Sequence, residues 1–442
     1  FGTPVPGTIA GGDPLMVVFE GEIEALDANI VLQATDSISV HGSFSNNDIN
    51  VKPGNSISLT VAGGSGYGLI DLVTPPSGSG SPVAVPISIQ TSGGGNIDLR
   101  VMNPVGGEIR VGEAHNASSL NAGTTGNVTV QADSGRVTLV NTTVAGANVT
   151  VKGGTESNRT ISGTAVSLDK ATLIAGTGQV DVQGHASESI GVAMYGASTI
   201  SSATGAQIIG TSGGLYPGNG FVGEDATITG TGPLLIEGRA VGTGDPVDGL
   251  VVSYSSLSRS DASPLTIRGG TDTPYNLGVN LSGTSVSTQS GEIRIEGLDG
   301  SGVKLYQSTL DSNTGGSAGA DVFVTGGNTS TRQTIGVQLE NTSIHAGSGK
   351  VRLVGRSYGE DAVNIARYDG GATISGGEVE IEGTTDGGSS SAHAVRVHGE
   401  TIQSSGPVSI RGEGGSIGLE NTRVTADSGS VLVAAGIAAP IS

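Results

Sequence analysis

The feature that most constrains this chain is one phrase that returns about every 28 residues. A full copy reads Gly336-Val-Gln-Leu-Glu-Asn-Thr-Ser-Ile-His-Ala-Gly-Ser-Gly-Lys-Val-Arg-Leu-Val-Gly355. Its opening recurs at Val166, Gly191, Phe221, Gly249, Gly278, Gly302, Gly336, Ala362, Ala394 and Ile417, at spacings from 23 to 34 residues. Each opening is followed by a middle phrase such as Ser198-Thr-Ile200 or Thr284-Ser-Val286. A closing phrase such as Glu292-Ile-Arg-Ile-Glu-Gly297 or Glu378-Val-Glu-Ile-Glu-Gly383 completes the unit.

Alternating aliphatic and polar residues mark all three phrases as short strands, and Gly, Ser and Asn mark the breaks as turns. Hairpins within a repeat would favour tight two-residue turns, and these turns are longer. Pairing each strand with its counterpart in the next repeat satisfies every backbone ladder at once. The expectation is an all-β right-handed parallel β-helix (β-solenoid) with about three short strands per coil; its hand rests on the general preference of parallel crossovers. About 15 coils at about 4.8 Å give a rod on the order of 70 Å long.

Residues 1–22, with Pro4, Pro6 and Pro14, read as an irregular leading segment or cap, in which Leu15–Phe19 could form one strand. The rod is assigned to 23–436, less regular to about 165 and regular over 166–436, with 437–442 as a tail. In its first part, glycine and asparagine in Gly95-Asn-Ile97, Gly126-Asn-Val128 and Gly146-Ala-Asn-Val149 supply turns ahead of strands. Gly63–Pro86 reads as a bulging loop rather than a paired element. No helical periodicity of useful length is seen. Phe1 is not an initiator methionine, so the chain is expected to be a processed product or part of something longer.

Only 3% of the 442 residues are aromatic while 77 are glycine, so small residues and aliphatics must fill a thin core. The net charge of −20 and the lack of a basic patch disfavour nucleic acid as a partner. There is no cysteine, which excludes disulfides and thiolate metal sites.

Asn141-Thr-Thr, Asn341-Thr-Ser and Asn421-Thr-Arg sit at matching places and predict an asparagine ladder or plain turns. The same residue type leaves N-glycosylation open at Asn127, Asn141, Asn148 and Asn341. The pairs Glu224-Asp225 and Glu360-Asp361 were weighed as general acid and base for a glycosidic bond, against a reading as acidic turn residues. The histidines are scattered, and the five-residue offset of His393 and His398 predicts opposite strand faces, a poor metal pair. No calcium nonapeptide run, nucleophile elbow or phosphate loop appears. No catalytic, cofactor-binding or metal-ligating residue is therefore assigned.

The Gly336–Gly355 repeat and phrases such as Gly95-Asn-Ile-Asp-Leu99 resemble those of filamentous haemagglutinin-like exoproteins of two-partner secretion, over roughly residues 21–436. The secretion-domain motif of that family is only approached, by Asn103-Pro-Val-Gly-Gly107. The resemblance implies export through an outer-membrane two-partner transporter, a secreted or bacterial cell-surface location, and adhesion or aggregation. It points to a non-enzymatic adhesive rod that meets an unknown cell-surface or carbohydrate receptor through its insertions, Gly63–Pro86, Gly210–Gly223, Asp311–Ala320 and Gly383–His393. Two alternatives stay open: a fibre subunit self-associating head to tail through 1–22 and Val431–Ile437, and a polysaccharide-active enzyme on the same fold.

Overall fold

The computed structural model describes residues 6–8, 14–16, 18, 20–40, 48–62, 67–73, 86–102, 106–155, 163–214, 217–242, 247–272, 276–299, 301–316, 319–327, 335–367, 373–386 and 392–436. The chain winds as a parallel β-solenoid in which each coil contributes one strand to each of three sheets. Sheet I holds fifteen strands, from Ile30–Ala34 to Val431–Ala435. Sheet II holds fourteen, from Ser37–Ser39 to Ser416–Glu420, and sheet III fourteen, from Asp48–Asn50 to Arg423–Ala426. The sequence's opening, middle and closing phrases are the strands of sheets II, III and I.

Alternation decides which side chains enter the core. In Val149–Gly153 the first, third and fifth residues are buried, and the same columns continue through Val180 and Val182 into the next coil. Valine, isoleucine and leucine therefore stack on like residues along the rod, each worth about 1.5–3 kcal/mol when buried. Phe221 is the only aromatic in this core among the described residues. It fits because Gly223, the next inward position of the same strand, leaves space: a β-carbon there would lie 3.1 Å from the Phe221 ring.

The first coil carries a cap. Helix Glu20–Ala25 places Ile23 in the core, and Glu24 Oε1 accepts the backbone N–H of Asn50 at 2.8 Å. This short helix departs from the expected absence of helix. The leading segment also holds an antiparallel pair, Pro6–Thr8 with Pro14–Met16, rather than a strand over Leu15–Phe19. Gly63–Pro86 is not one loop: Gly68–Leu72 is a sheet II strand paired in register with Gly107–Val111. Its Gly68-Leu-Ile-Asp-Leu72 buries residues at alternate positions, a pattern masked in the sequence by the glycines and prolines around it. The flanking 63–66 and 74–85, like Asn103–Val105 and 437–442, lie outside the described residues.

Candidate functional site

The three corners of the coil differ. Between sheets II and III the chain turns on one left-handed residue: Asn141, Lys170, Asp225, Tyr254, Gln307, Asn341 and Asn421 have φ between 47° and 54°. Asparagine suits this conformation, so Asn141, Asn341 and Asn421 are corner residues. The column stacked just inside them is mostly hydroxyl, with Ala171 and Ala226 in two of the coils. Ser198 Oγ accepts the Ala171 N–H at 3.1 Å and donates to Tyr195 O at 2.7 Å, and Thr342 Oγ1 reaches Leu305 O at 3.0 Å.

The asparagine ladder exists, at a different corner. Where sheet III passes to sheet I, Asn127 N–H donates to Asn96 Oδ1 at 2.8 Å, Asn148 Nδ2 donates to Asn127 Oδ1 at 2.8 Å, and Gln179 N–H donates to Asn148 Oδ1 at 3.0 Å. Two of the glycosylation matches, Asn127 and Asn148, are thus rungs of this ladder. The signal for it is the glycine-and-asparagine phrase before the sheet I strands of the first coils.

From Val149 onward the corner from sheet I to sheet II takes the largest share of the length variation, whereas in the first coils the longest connection, from Leu72 to Ser88, belongs to the sheet II to sheet III corner. Gly153 and Val166 are joined by a long segment, as are Gly327 and Val337, while Arg136 follows Ala132 closely. Gly210–Gly214 is the end of the sheet I strand Gly205–Gly214, and Gly383–Thr385 likewise ends Glu378–Thr385. Those two expected insertions are shorter than the sequence suggested. Asp311–Ala320 lies at the sheet III to sheet I corner instead.

The proposed carboxylate pairs are not brought together. Glu224 ends a sheet II strand and Asp225 is its left-handed corner residue. Glu360 and Asp361 lie coils away at the sheet I to sheet II corner, where Asp361 Oδ1 accepts the His393 N–H at 2.8 Å. His393 and His398 do not point to opposite faces as expected. A register shift between His393 and Val395 restores the outward phase, so both are part-exposed. They take separate partners, Asp361 at 3.3 Å and Glu420 at 3.2 Å. Among the described residues no group of three His, Asp or Glu could hold a metal ion.

Charge is distributed unevenly over the three faces. Sheet I carries ion-pair networks such as Lys350 with Glu378 and Glu380, and Arg352 with Glu380 and Glu382. Sheet II carries Asp71–Arg110 and Glu108–Arg136. Sheet III presents two outward columns. The first is serine or threonine in every coil from Ser88 to Thr401. The second, from Gln90 to Gln403, contains only two ionisable residues, Asp311 and His345. Two buried ionisable groups had no sequence signal. Arg259 points inward and is 2% exposed, and burial pulls its pKa down to about 10, against the pull of Asp261. Glu400 occupies the hydroxyl column, is 2% exposed, and is raised by burial although Arg367 counters this.

The fold and these surfaces define a class, a three-sheeted β-solenoid scaffold with differentiated faces. No protein-family model, curated protein or solved structure matches the chain.

Proposed function

We propose that this protein is a non-catalytic extracellular attachment rod, exported through a two-partner transporter and acting at a bacterial surface. One observation carries this reading: a single core stays continuous from Ile23 to Ile410 while length variation is confined to the connections between strands, from Val149 onward mainly along one edge. A rod of this kind holds its long segments in a fixed row on a rigid support, where sequence change costs the core nothing. The sequence resemblance to filamentous haemagglutinin-like exoproteins supports the same role. The test is to shorten the segments between Gly153 and Val166 and between Gly327 and Val337, and to measure attachment to host cells and to sister rods. Attachment should fall while thermal unfolding stays unchanged; undiminished attachment overturns the role of this edge.

A further inference from the structure

We propose that the sheet III face, with its border on sheet II, is a binding strip for an uncharged linear glycan lying along the rod. This goes beyond the attachment reading and uses a different surface. In a three-sided coil, the long segments between sheets I and II project from the corner that sheet III does not share. Beside the coils from Thr199 to Ser287 the connections on both sides of sheet III span only two to five residues, so the hydroxyl face is left clear there.

Three observations on this side of the rod point to one kind of ligand. The first is charge. In a chain of net charge −20, none of the ion pairs formed by the described residues uses an outward sheet III residue between Ser88 and Gln403. A neutral polymer meets the sheet III face without stripping water from charges, while a polyanion is repelled by the molecule as a whole and by Glu224 and Asp225, which share the sheet II border with the tyrosines. The second is the hydroxyl array. Thr199 with Ser201, Thr227 with Thr229, Ser256 with Ser258, and Ser285 with Ser287 form paired outward hydroxyls in four consecutive coils. Hydroxyls repeating at about 4.8 Å donate and accept equally, as sugar hydroxyls do.

The third is a set of tyrosines bordering those same coils. Tyr195 and Tyr306 are outward at the last position of sheet II strands, and Tyr254 stands between them at the corner. Successive tyrosines are two coils apart, about 10 Å along the rod. Tyr254 is 68% exposed and has φ of 50°, a conformation that disfavours a bulky aromatic. Gly283 in the next coil makes room for it, since a β-carbon there would lie 2.9 Å from the Tyr254 ring. An exposed aromatic held in a strained corner, beside a neighbour reduced to glycine, has no part in the core. The left-handed φ belongs to this corner in coil after coil, so what sets Tyr254 apart is that a turn position suited to asparagine is given to an exposed aromatic. Tyrosine faces stack on the apolar faces of sugar rings, and the hydroxyl columns bond their rims.

Binding of the full chain is measured by affinity electrophoresis and calorimetry against soluble mixed-linkage β-glucan, xylan and galactomannan, with polygalacturonate and heparin as charged comparisons. Retention by at least one neutral polymer and not by the charged ones is expected. Tyr254→Gly, which relieves the strained corner, and Tyr306→Ala should each weaken that binding at least tenfold without lowering the unfolding temperature. Rods with shortened segments at the sheet I to sheet II corner should bind as wild type. The proposal is overturned if no neutral polymer binds, if the charged polymers bind better, or if the tyrosine variants bind as wild type. Loss of binding only on shortening the segments would also overturn it, while leaving the attachment reading intact.

Discussion

A β-carbon on Gly355 would sit inside the carbonyl of Ala362. Gly355 lies near the end of the sheet I strand Lys350–Ser357 and Ala362 precedes the next sheet II strand, so this relationship is the inside of a corner. It recurs along the rod: Gly184 meets Gly191, Gly210 meets Gly220, Gly269 meets Gly278, and Gly326 meets Gly336. The glycines that close the repeat form one column, faced by glycine, alanine or serine at the openings, and they let the backbone fold back to a distance that a β-carbon on the closing glycine would not permit.

Gly355→Val should therefore destabilise the coils around it by at least about 1–3 kcal/mol, the range for overpacking a filled interior. Hydrogen exchange should show lost protection in Lys350–Ser357 and Val363–Ala366. Gly21→Ala, in the capping helix with open space around it, should instead gain about 0.5–1 kcal/mol.

Arg259 lies along the core over Gly230, reaching Ser202 Oγ at 3.2 Å and Thr229 O at 3.1 Å, with Nε and Nη2 unpartnered. Its folded pKa of about 10 lies below the ordinary guanidinium value, so between the two the unfolded chain binds more protons and stability rises with pH. Below pH 10 the full penalty stands. Arg259→Met should raise stability at pH 7 by roughly 1–4 kcal/mol, and the gain should shrink above pH 10. Urea midpoints at pH 7 and in the alkaline range check this.

Glu400 has neither carboxylate oxygen partnered, in a column where other coils place a serine or threonine hydroxyl. Burial raises its pKa, so the folded state binds more protons and stability falls as pH climbs above the ordinary carboxylate range. Glu400→Thr should stabilise by about 1–3 kcal/mol at neutral pH, and the gain should vanish in acid below that range. Equilibrium unfolding at pH 7 and pH 4 distinguishes the two.

Asn127 accepts one bond and donates another in the asparagine ladder. Asn127→Ala keeps the backbone donation and should cost about 0.5–1.5 kcal/mol for the one side-chain bond lost, that accepted from Asn148 Nδ2, read as faster exchange at Asn148 and Val128. Asn341→Gly, at a left-handed corner, should leave stability unchanged within a few tenths of a kcal/mol.

The strands were legible because alternation and β-branched residues mark a half-buried surface whatever it packs against. Gly68–Leu72 escaped because loop-like residues surround a short strand. The asparagine ladder was placed at the wrong corner for a related reason. Asn141 and Asn96 look alike in sequence, and only stacking shows that one turns the chain while the other bonds along the axis. His393 was misplaced because a register shift costs one residue and leaves no mark in composition.

The sequence by itself determined a coil of three short strands, a core of small and aliphatic residues, and repeats tolerant of insertion, because these follow from period, residue size and turn chemistry acting locally. The tertiary structure decided which corner each insertion occupies, why Gly355 must be glycine, where Arg259 and Glu400 are buried, and that Tyr195, Tyr254 and Tyr306 line one edge. Those are relations between coils. They depend on the register in which one turn of the chain is laid upon the next, and that register is set by the packed core as a whole.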